Sequence, residues 1–209
     1  MKIVVLGATG GIGVEIIRQS IDHGHAVTAL VRSPGPLITF SDRINLVQGD
    51  VLNRAELERV LAGQDAVVSG FGPRVPISKD DAHLLQHFGT ALTSAMQRAG
   101  VRRLVAVSVA FLFKDSIIPP PAYLAGCLFF SDLVHDAAEM EDVIEKSGLD
   151  WTIVRPPRLT DKPRTGKYRA QEGHLPRFGF TISRADVADF ALKATENHLS
   201  TQKIVGLSN

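Results

Sequence analysis

The run Gly7-Ala8-Thr9-Gly10-Gly11-Ile12-Gly13 constrains this chain more than any other feature. An apolar stretch at residues 2–6 precedes it, and Ile12, Ile16 and Ile17 follow at helical spacing over residues 12–23. The glycines at 7, 10 and 13 read G-x-x-G-x-x-G. At such a strand-to-helix junction the first glycine permits the tight turn out of the strand. The second lets a phosphate approach the backbone without meeting a Cβ, and the third lets the helix pack close to the sheet. The N–H groups at the helix start then face an anion. The glycine spacing alone is a weak signal; the strand before it and the helix after it make it specific.

Apolar runs and helical patterns alternate along most of the chain. Strands are expected at 2–6, 26–31, 44–48, 65–69, 103–108, 151–155 and 203–205. Helices are expected at 12–23, at 54–61 with Asn53 as N-cap, at 80–99 stopped by Gly100, at 132–147 ended by Gly148, and at 185–195. Alternation of this kind predicts βαβ units and a parallel sheet. The 209 residues suit one core. The fold class read from this is α/β: a single-domain Rossmann fold over residues 1–209, with a doubly wound parallel sheet and helices on both faces. Two stretches break the rhythm, Lys114 to Ser131 and Pro156 to Gly179. Both follow C-terminal ends of expected strands, where ligands bind in open α/β sheets. They define substrate-side segments around 109–131 and 156–180.

A dinucleotide is the ligand this arrangement implies, through Gly7, Thr9, Gly10, Gly11, Ile12 and Gly13. NAD-specific folds place an Asp or Glu at the end of the second strand to hold the ribose hydroxyls. Here that strand ends Val31-Arg32-Ser33, and no acidic residue occurs from His25 to Ser41. Arg32 stands where the 2′-phosphate of NADP would lie, able to pair with phosphate and stack on adenine, and Ser33 can add a hydrogen bond. The cofactor expected is NADP(H); the competing reading of Arg32 is an ordinary solvated arginine. Asp50-Val51 follows the third strand. Asp50 either accepts from the adenine amino group, with Val51 flanking the ring, or caps the next helix.

These residues carry a family resemblance. The glycine turn, Leu30-Val31-Arg32, Gly49-Asp50-Val51, Asp65-Ala66-Val67-Val68 and Trp151 to Pro157 together resemble an atypical short-chain dehydrogenase/reductase of the NAD(P)H-binding type. Gly72-Pro73-Arg74, Ala110-Phe111-Leu112, Ser147-Gly148-Leu149, Pro156-Pro157, Thr165 to Tyr168 and Ile182 to Asp186 are similar to the flavin reductase/biliverdin-IXβ reductase group. The resemblance implies a small NADPH-dependent reductase, monomeric or a weak dimer, with a planar acceptor over the nicotinamide: a flavin, a quinone or a bilin-like tetrapyrrole. It also implies that Gly72 and Arg74 lie against the middle of the cofactor, and that Ser108, Pro156 and Pro157 lie near the nicotinamide. Two departures fall in the substrate pocket. Val109 stands where that group pairs a second hydroxyl residue, and Arg158 stands where a histidine commonly follows the double proline.

The Tyr-x-x-x-Lys acid–base pair of the better-known dehydrogenases of this superfamily is missing. Tyr123 is followed four residues on by Cys127, and Tyr168 by Glu172. Reduction of a conjugated acceptor suits this, because the accompanying proton can come from water and the protein's part is orientation. Ser108, Tyr123 and Arg158 are the candidate catalytic residues. Phe111, Leu112 and Phe113 are candidate pocket walls with Tyr123, and Lys114 and Arg164 are candidate anchors with Arg158. His135, beside Asp136 on an expected helix, is a further possible donor, although a lone helical histidine is usually not catalytic. Two other functions compete: a non-catalytic NADP(H)-binding redox sensor or regulator, and a sugar-nucleotide epimerase-like enzyme. The absent Tyr-Lys pair and the short C-terminal substrate region disfavour the second.

Charge and composition narrow the partners. A formal net charge of +1 gives no footing for nucleic acid. The apolar stretch from Pro119 to Ser131 falls short of the roughly 20 residues that span a bilayer, so no membrane partner is expected. A small-molecule electron acceptor is the partner expected. Cys127, the one cysteine, rules out an internal disulfide and fits a cytoplasmic setting. His23 and His25 flank Gly24 with no carboxylate-rich partner set, so they read as helix-end cations and no metal is expected.

Overall fold

The computed structural model describes residues 1–72, 83–112 and 131–209. In chain order they form β1 (Lys2–Leu6), α1 (Gly11–Asp22), β2 (Ala26–Val31), β3 (Asn45–Gln48), α2 (Arg54–Leu61), β4 (Ala66–Ser69), α3 (Leu84–Ala99) and β5 (Arg103–Val107). Then come α4 (Ser131–Glu145), β6 (Asp150–Arg155), β7 (Arg158–Thr160), β8 (Arg169–Glu172), β9 (Thr181–Ser183), α5 (Arg184–Asn197) and β10 (Lys203–Ser208). Short 3₁₀ turns lie at Gly35–Phe40 and Ala110–Leu112.

The main sheet runs β3-β2-β1-β4-β5-β6-β10-β8, and every pair is parallel except β10 with β8. The period-2 alternation of β1 decides how the two faces are covered. Ile3 and Val5 face a layer built on Ile16 and Ile17 of α1 and Val187 and Ala191 of α5. Val4 and Leu6 face the opposite layer, with Leu57 of α2, Phe88, Leu92 and Met96 of α3 and Ile144 of α4. Burial of one such side chain contributes about 1.5–3 kcal/mol. The expected doubly wound α/β sheet with helices on both faces is therefore what forms. No described helix is long and apolar enough to cross a membrane.

Local signals set the helix ends. Asn53 accepts from the N–H groups of Ala55 and Glu56 at 3.0 and 3.3 Å, which starts α2 where the sequence places it. Gly100 closes α3 at φ +72° and Gly148 lies just past α4 at φ +70°. The expected start of α3 at Asp80 lies outside the described residues; the first described helical residue is Leu84. Three strands are not legible in the sequence. β7 and β9 have three residues each and pair in a small parallel sheet, and β8 is exposed along all four residues. Without apolar alternation β8 gives no strand signal, and its pairing with β10 extends that strand from the expected Val205 to Ser208.

Asp186, fully buried in the first turn of α5, ties down the segment between β7 and β8. Its carboxylate accepts from the N–H groups of Thr165 and Gly166 at 2.8 and 2.9 Å, from the Thr165 hydroxyl at 2.9 Å and from Asn209 Nδ2 at 2.9 Å. Burial alone would raise its pKa, but hydrogen bonds from Asn209, Gly166, Thr165 and Ser183 outweigh burial and hold it below the ordinary carboxyl range. A group depressed in the folded state stabilises fully above its unfolded pKa of about 3.9 and loses that stabilisation as pH falls through the folded value. Asp186→Asn is expected to lower stability at pH 7 by about 2 kcal/mol, with the deficit shrinking at acid pH. Urea unfolding at pH 7 and in acid checks this; a deficit that does not depend on pH would contradict it.

Candidate functional site

Parallel strands bring their C-terminal ends to one edge of the sheet, and nearly every residue singled out in the sequence follows such an end. Gly7 to Gly13 follow β1, Arg32 and Ser33 follow β2, and Asp50 and Val51 follow β3. Gly72 follows β4, Ser108 follows β5, and Pro156, Pro157 and Arg158 follow β6. In the strand order β3-β2-β1-β4-β5-β6 the chain reverses direction between β1 and β4. A crevice opens at such a switch point.

The three glycines of the turn have different reasons to be glycine. Gly7 sits at φ +68°, and a Cβ there would lie 2.5 Å from the backbone of Gly70 and Phe71. At Gly13 a Cβ would lie 2.2 Å from the Gly7 carbonyl oxygen. Both are demanded by the fold itself. Gly10 is not: it is extended at φ −79°, ψ 161°, and its Cβ would meet only the Gly7 oxygen at 3.2 Å. The fold therefore constrains Gly10 less than it constrains the other two.

The N-terminus of α1 is correspondingly open. Asn53 caps α2, and Ser183 caps α5 through the Asp186 N–H at 2.9 Å. The buried Asp136 of α4 caps α3, accepting from the N–H groups of Leu85 and Gln86 at 2.8 and 2.9 Å. Among the described residues α1 has no side-chain cap and no acid in its first turn. Its exposed N–H groups and positive dipole end fit an anion, as a dinucleotide's pyrophosphate supplies.

A basic residue that the sequence reading left without a role borders this opening. Arg184, at the start of α5, lays its stem over Gly11: a Cβ on Gly11 would lie 2.6 Å from Arg184 Cδ. Its Nη1 donates to Asp161 at 2.6 Å. The packing of α1 beside α5 makes this neighbourhood, and no local spacing signals it.

Arg32 and Ser33 are exposed just beyond β2, and the Arg32 guanidinium makes no ion pair among the described residues. Asp50 is exposed as well. Its Oδ1 accepts from the Leu52 N–H at 3.0 Å and its own N–H donates to Glu56 Oε2 at 2.7 Å. Asn53, not Asp50, caps the helix, which removes one of the two readings of Asp50. Val51 is buried beneath it.

Ser108 donates its N–H to the Val154 carbonyl at 2.8 Å, which holds it against β6. Its Oγ is buried with no hydrogen-bond partner among the described residues. A buried orphan hydroxyl is costly unless something completes it, and this one lies at the mouth of the crevice. Pro156 is buried, Pro157 half-buried and Arg158 exposed. Arg74, Phe113, Lys114 and Tyr123 lie outside the described residues, as does the side chain of Phe111.

Two candidates are taken up by other partners. Arg164 reaches Asp189 at 3.6 Å, and His135 is exposed and faces Glu139 at 3.5 Å within α4. Tyr168 meets a lysine through space, because Lys193 Nζ lies 5.6 Å from its ring centre. The pair does not make an acid–base device. The Tyr168 hydroxyl donates to Asp189 at 2.8 Å, and burial followed by that bond pushes its pKa up, opposite to what a catalytic tyrosine needs.

Fold, open helix end and glycine cradle define a dinucleotide-binding protein of the Rossmann class. Known proteins agree. The sequence profile of the NAD(P)H-binding family matches residues 7–198. An uncharacterised chloroplastic protein of Arabidopsis thaliana is 34% identical over 98% of this chain and 75% of its own length. The (4-alkanoyl-5-oxo-2,5-dihydrofuran-3-yl)methyl phosphate reductase of Streptomyces griseus is 32% identical over 74% of this chain, which spans 46% of that protein. The solved structure of ChuY, an anaerobilin reductase of Escherichia coli O157:H7, superposes with a TM-score of 0.80 over all of this chain and 97% of its own, at 20% identity. The chain belongs to the NAD(P)H-binding family.

The glycine geometry separates two substitutions. Gly10→Val is expected to fold normally and to weaken dinucleotide binding by about a hundredfold or more, because its side chain fills the phosphate's space. Gly13→Ala is expected to lose about 1–3 kcal/mol of stability, since its Cβ meets backbone. Thermal unfolding with calorimetric titration of NADPH checks both. Normal NADPH affinity in a folded Gly10→Val protein would show that the cradle lies elsewhere.

Proposed function

We propose that the protein is an NADPH-dependent reductase that delivers hydride to a planar conjugated acceptor, a flavin, a quinone or a bilin-like molecule. One observation carries the reading. The crevice edge offers a dinucleotide cradle and an orphan hydroxyl at Ser108, while the tyrosine described in this chain is locked to Asp189 away from acid–base work. An acceptor that needs no protein acid fits such a site. The relatives that are named reductases support the class of reaction.

Each residue then has a defined task. The N–H groups at the start of α1 bind the pyrophosphate, and the guanidinium of Arg184 beside them adds positive charge. Arg32 pairs with the 2′-phosphate, which makes the cofactor NADP(H), and Ser33 adds a hydrogen bond. Asp50 accepts from the adenine amino group over the apolar wall of Val51. Ser108 and the Pro156-Pro157 turn border the reacting end. When bound, the nicotinamide supplies the hydride, and the proton that completes reduction comes from water. The segment around 156–180 borders the acceptor, with Arg158, exposed at the start of β7, anchoring an acidic group of it.

Steady-state oxidation of NADPH and NADH with FMN, a quinone series and biliverdin tests this. The expected result is turnover with at least one of them, a preference for NADPH, and less than about a tenfold loss of kcat in Ser108→Ala, since loss of a true general acid costs about 10²–10⁴-fold. Tight NADPH binding with no oxidation by any acceptor would overturn the reductase and leave a sensor of NADP(H) state.

A further inference from the structure

The opposite edge of the sheet carries a second cluster, at the far end of α1 from the glycine turn. Helix α1 ends in two backbone bonds, from the Gly24 N–H to the Ile21 carbonyl at 3.0 Å and from the His25 N–H to the Ser20 carbonyl at 2.9 Å. With Gly24 at φ +75° this is the glycine-closed Schellman end. It fixes His23 as the C-cap of the helix and His25 as the residue entering β2, one on each side of the turn. Helix α5 packs along α1 and ends at the same edge, so its last turn brings Glu196 between the two rings.

The geometry is that of a ligand set. Glu196 Oε1 lies 2.8 Å from His23 Nδ1 and 2.7 Å from His25 Nε2. The donor atoms of all three residues fall within 4.8 Å of one another. Nδ1 of His25 faces the main-chain nitrogen of Met1 at 3.4 Å, so Nε2 is the nitrogen turned to the cluster. The His25 side chain is 9% exposed, and His23 and Glu196 are 29% and 24% exposed, which leaves one side open to solvent.

We propose that His23, His25 and Glu196 form a binding site for a divalent transition-metal ion of the Zn²⁺ class, with water in the remaining position. Two imidazoles and a carboxylate suit such ions rather than Mg²⁺ or Ca²⁺, which prefer oxygen. A tetrahedral ion with bonds of about 2.0–2.1 Å holds its donors about 3.3 Å apart. The two Glu196–His contacts, at 2.8 and 2.7 Å, need to open by about half an ångström, and the ring hydrogens now shared with Glu196 leave for solvent or for the other ring nitrogen. The ligands come from the end of α1, the start of β2 and the end of α5, so the ion pins the α1–β2 turn to a helix far off in sequence. The 12 residues of α1 hold it about 18 Å from the glycine turn. The site is thus structural and separate from the dinucleotide.

A second grouping, His83, Asp136 and Glu139, serves as a control. The carboxylate of Asp136 is already committed to the start of α3.

Calorimetric titration of the metal-free protein with ZnCl₂ at pH 7.5 decides the matter. The expected result is one Zn²⁺ bound at low-micromolar or tighter affinity. Glu196→Gln and His25→Ala should each weaken it at least about tenfold, while His83→Ala leaves it unchanged. NADPH affinity should stay the same with and without Zn²⁺. No Zn²⁺ binding at about 100 μM, or wild-type affinity in either cluster variant, would overturn the proposal. If a variant fails to fold, ¹H–¹⁵N spectra of the wild-type imidazoles serve instead. Zn²⁺ must shift the ring nitrogens of both His23 and His25, and unchanged spectra would overturn the site.

Discussion

The packing of Gly7 against the exit of β4 is the contact on which the rest of the site depends. Its left-handed backbone turns the chain out of β1, and only a residue without Cβ fits, because a Cβ would lie 2.5 Å from the backbone of Gly70 and Phe71. That close approach draws the exits of β1 and β4 together at the point where the strand order reverses. It also aims α1 so that Gly13 rests on the Gly7 carbonyl and the helix presents its open end to the crevice. A side chain at either position would move the helix axis and with it the anion site.

Several buried polar groups are satisfied internally. Arg103, buried at the start of β5, donates to the carbonyls of Asp150, Ala194 and Leu199 and to the Thr152 hydroxyl. Burial, partly offset by Asp150, lowers its pKa to about 10. Arg155 and Glu141 form a buried two-point pair between β6 and α4. Asp186 is saturated by four hydrogen bonds from Thr165, Gly166 and Asn209. The uncapped start of α1 and the Ser108 hydroxyl, one of several buried side-chain atoms without a partner among the described residues, are polar groups left open at the C-terminal edge of the sheet.

The parallel sheet and its helices are legible in the sequence because they rest on local signals: continuous apolar runs such as Ile3 to Leu6, the Asn53 cap, and the glycines at 100 and 148. The cradle is legible for the same reason. Features that depend on distant partners are not. β8 exists because β10 pairs with it, and its own four residues carry no pattern. Arg184 reaches Gly11, and Glu196 reaches His23 and His25, only because α1 and α5 pack side by side. Tyr168 looks available in sequence, and only its bond to Asp189 shows that it is not.

In the proposed complex the open end of α1 holds the dinucleotide's pyrophosphate and Arg32 its adenosine end. Amide ¹H–¹⁵N spectra of the labelled protein during titration with NADP⁺ test it most directly. The largest shifts are expected on Gly10, Gly11, Ile12 and Gly13, with Arg32 and Ser33 moving in parallel. Saturable NADP⁺ binding that leaves those amides unmoved would contradict it.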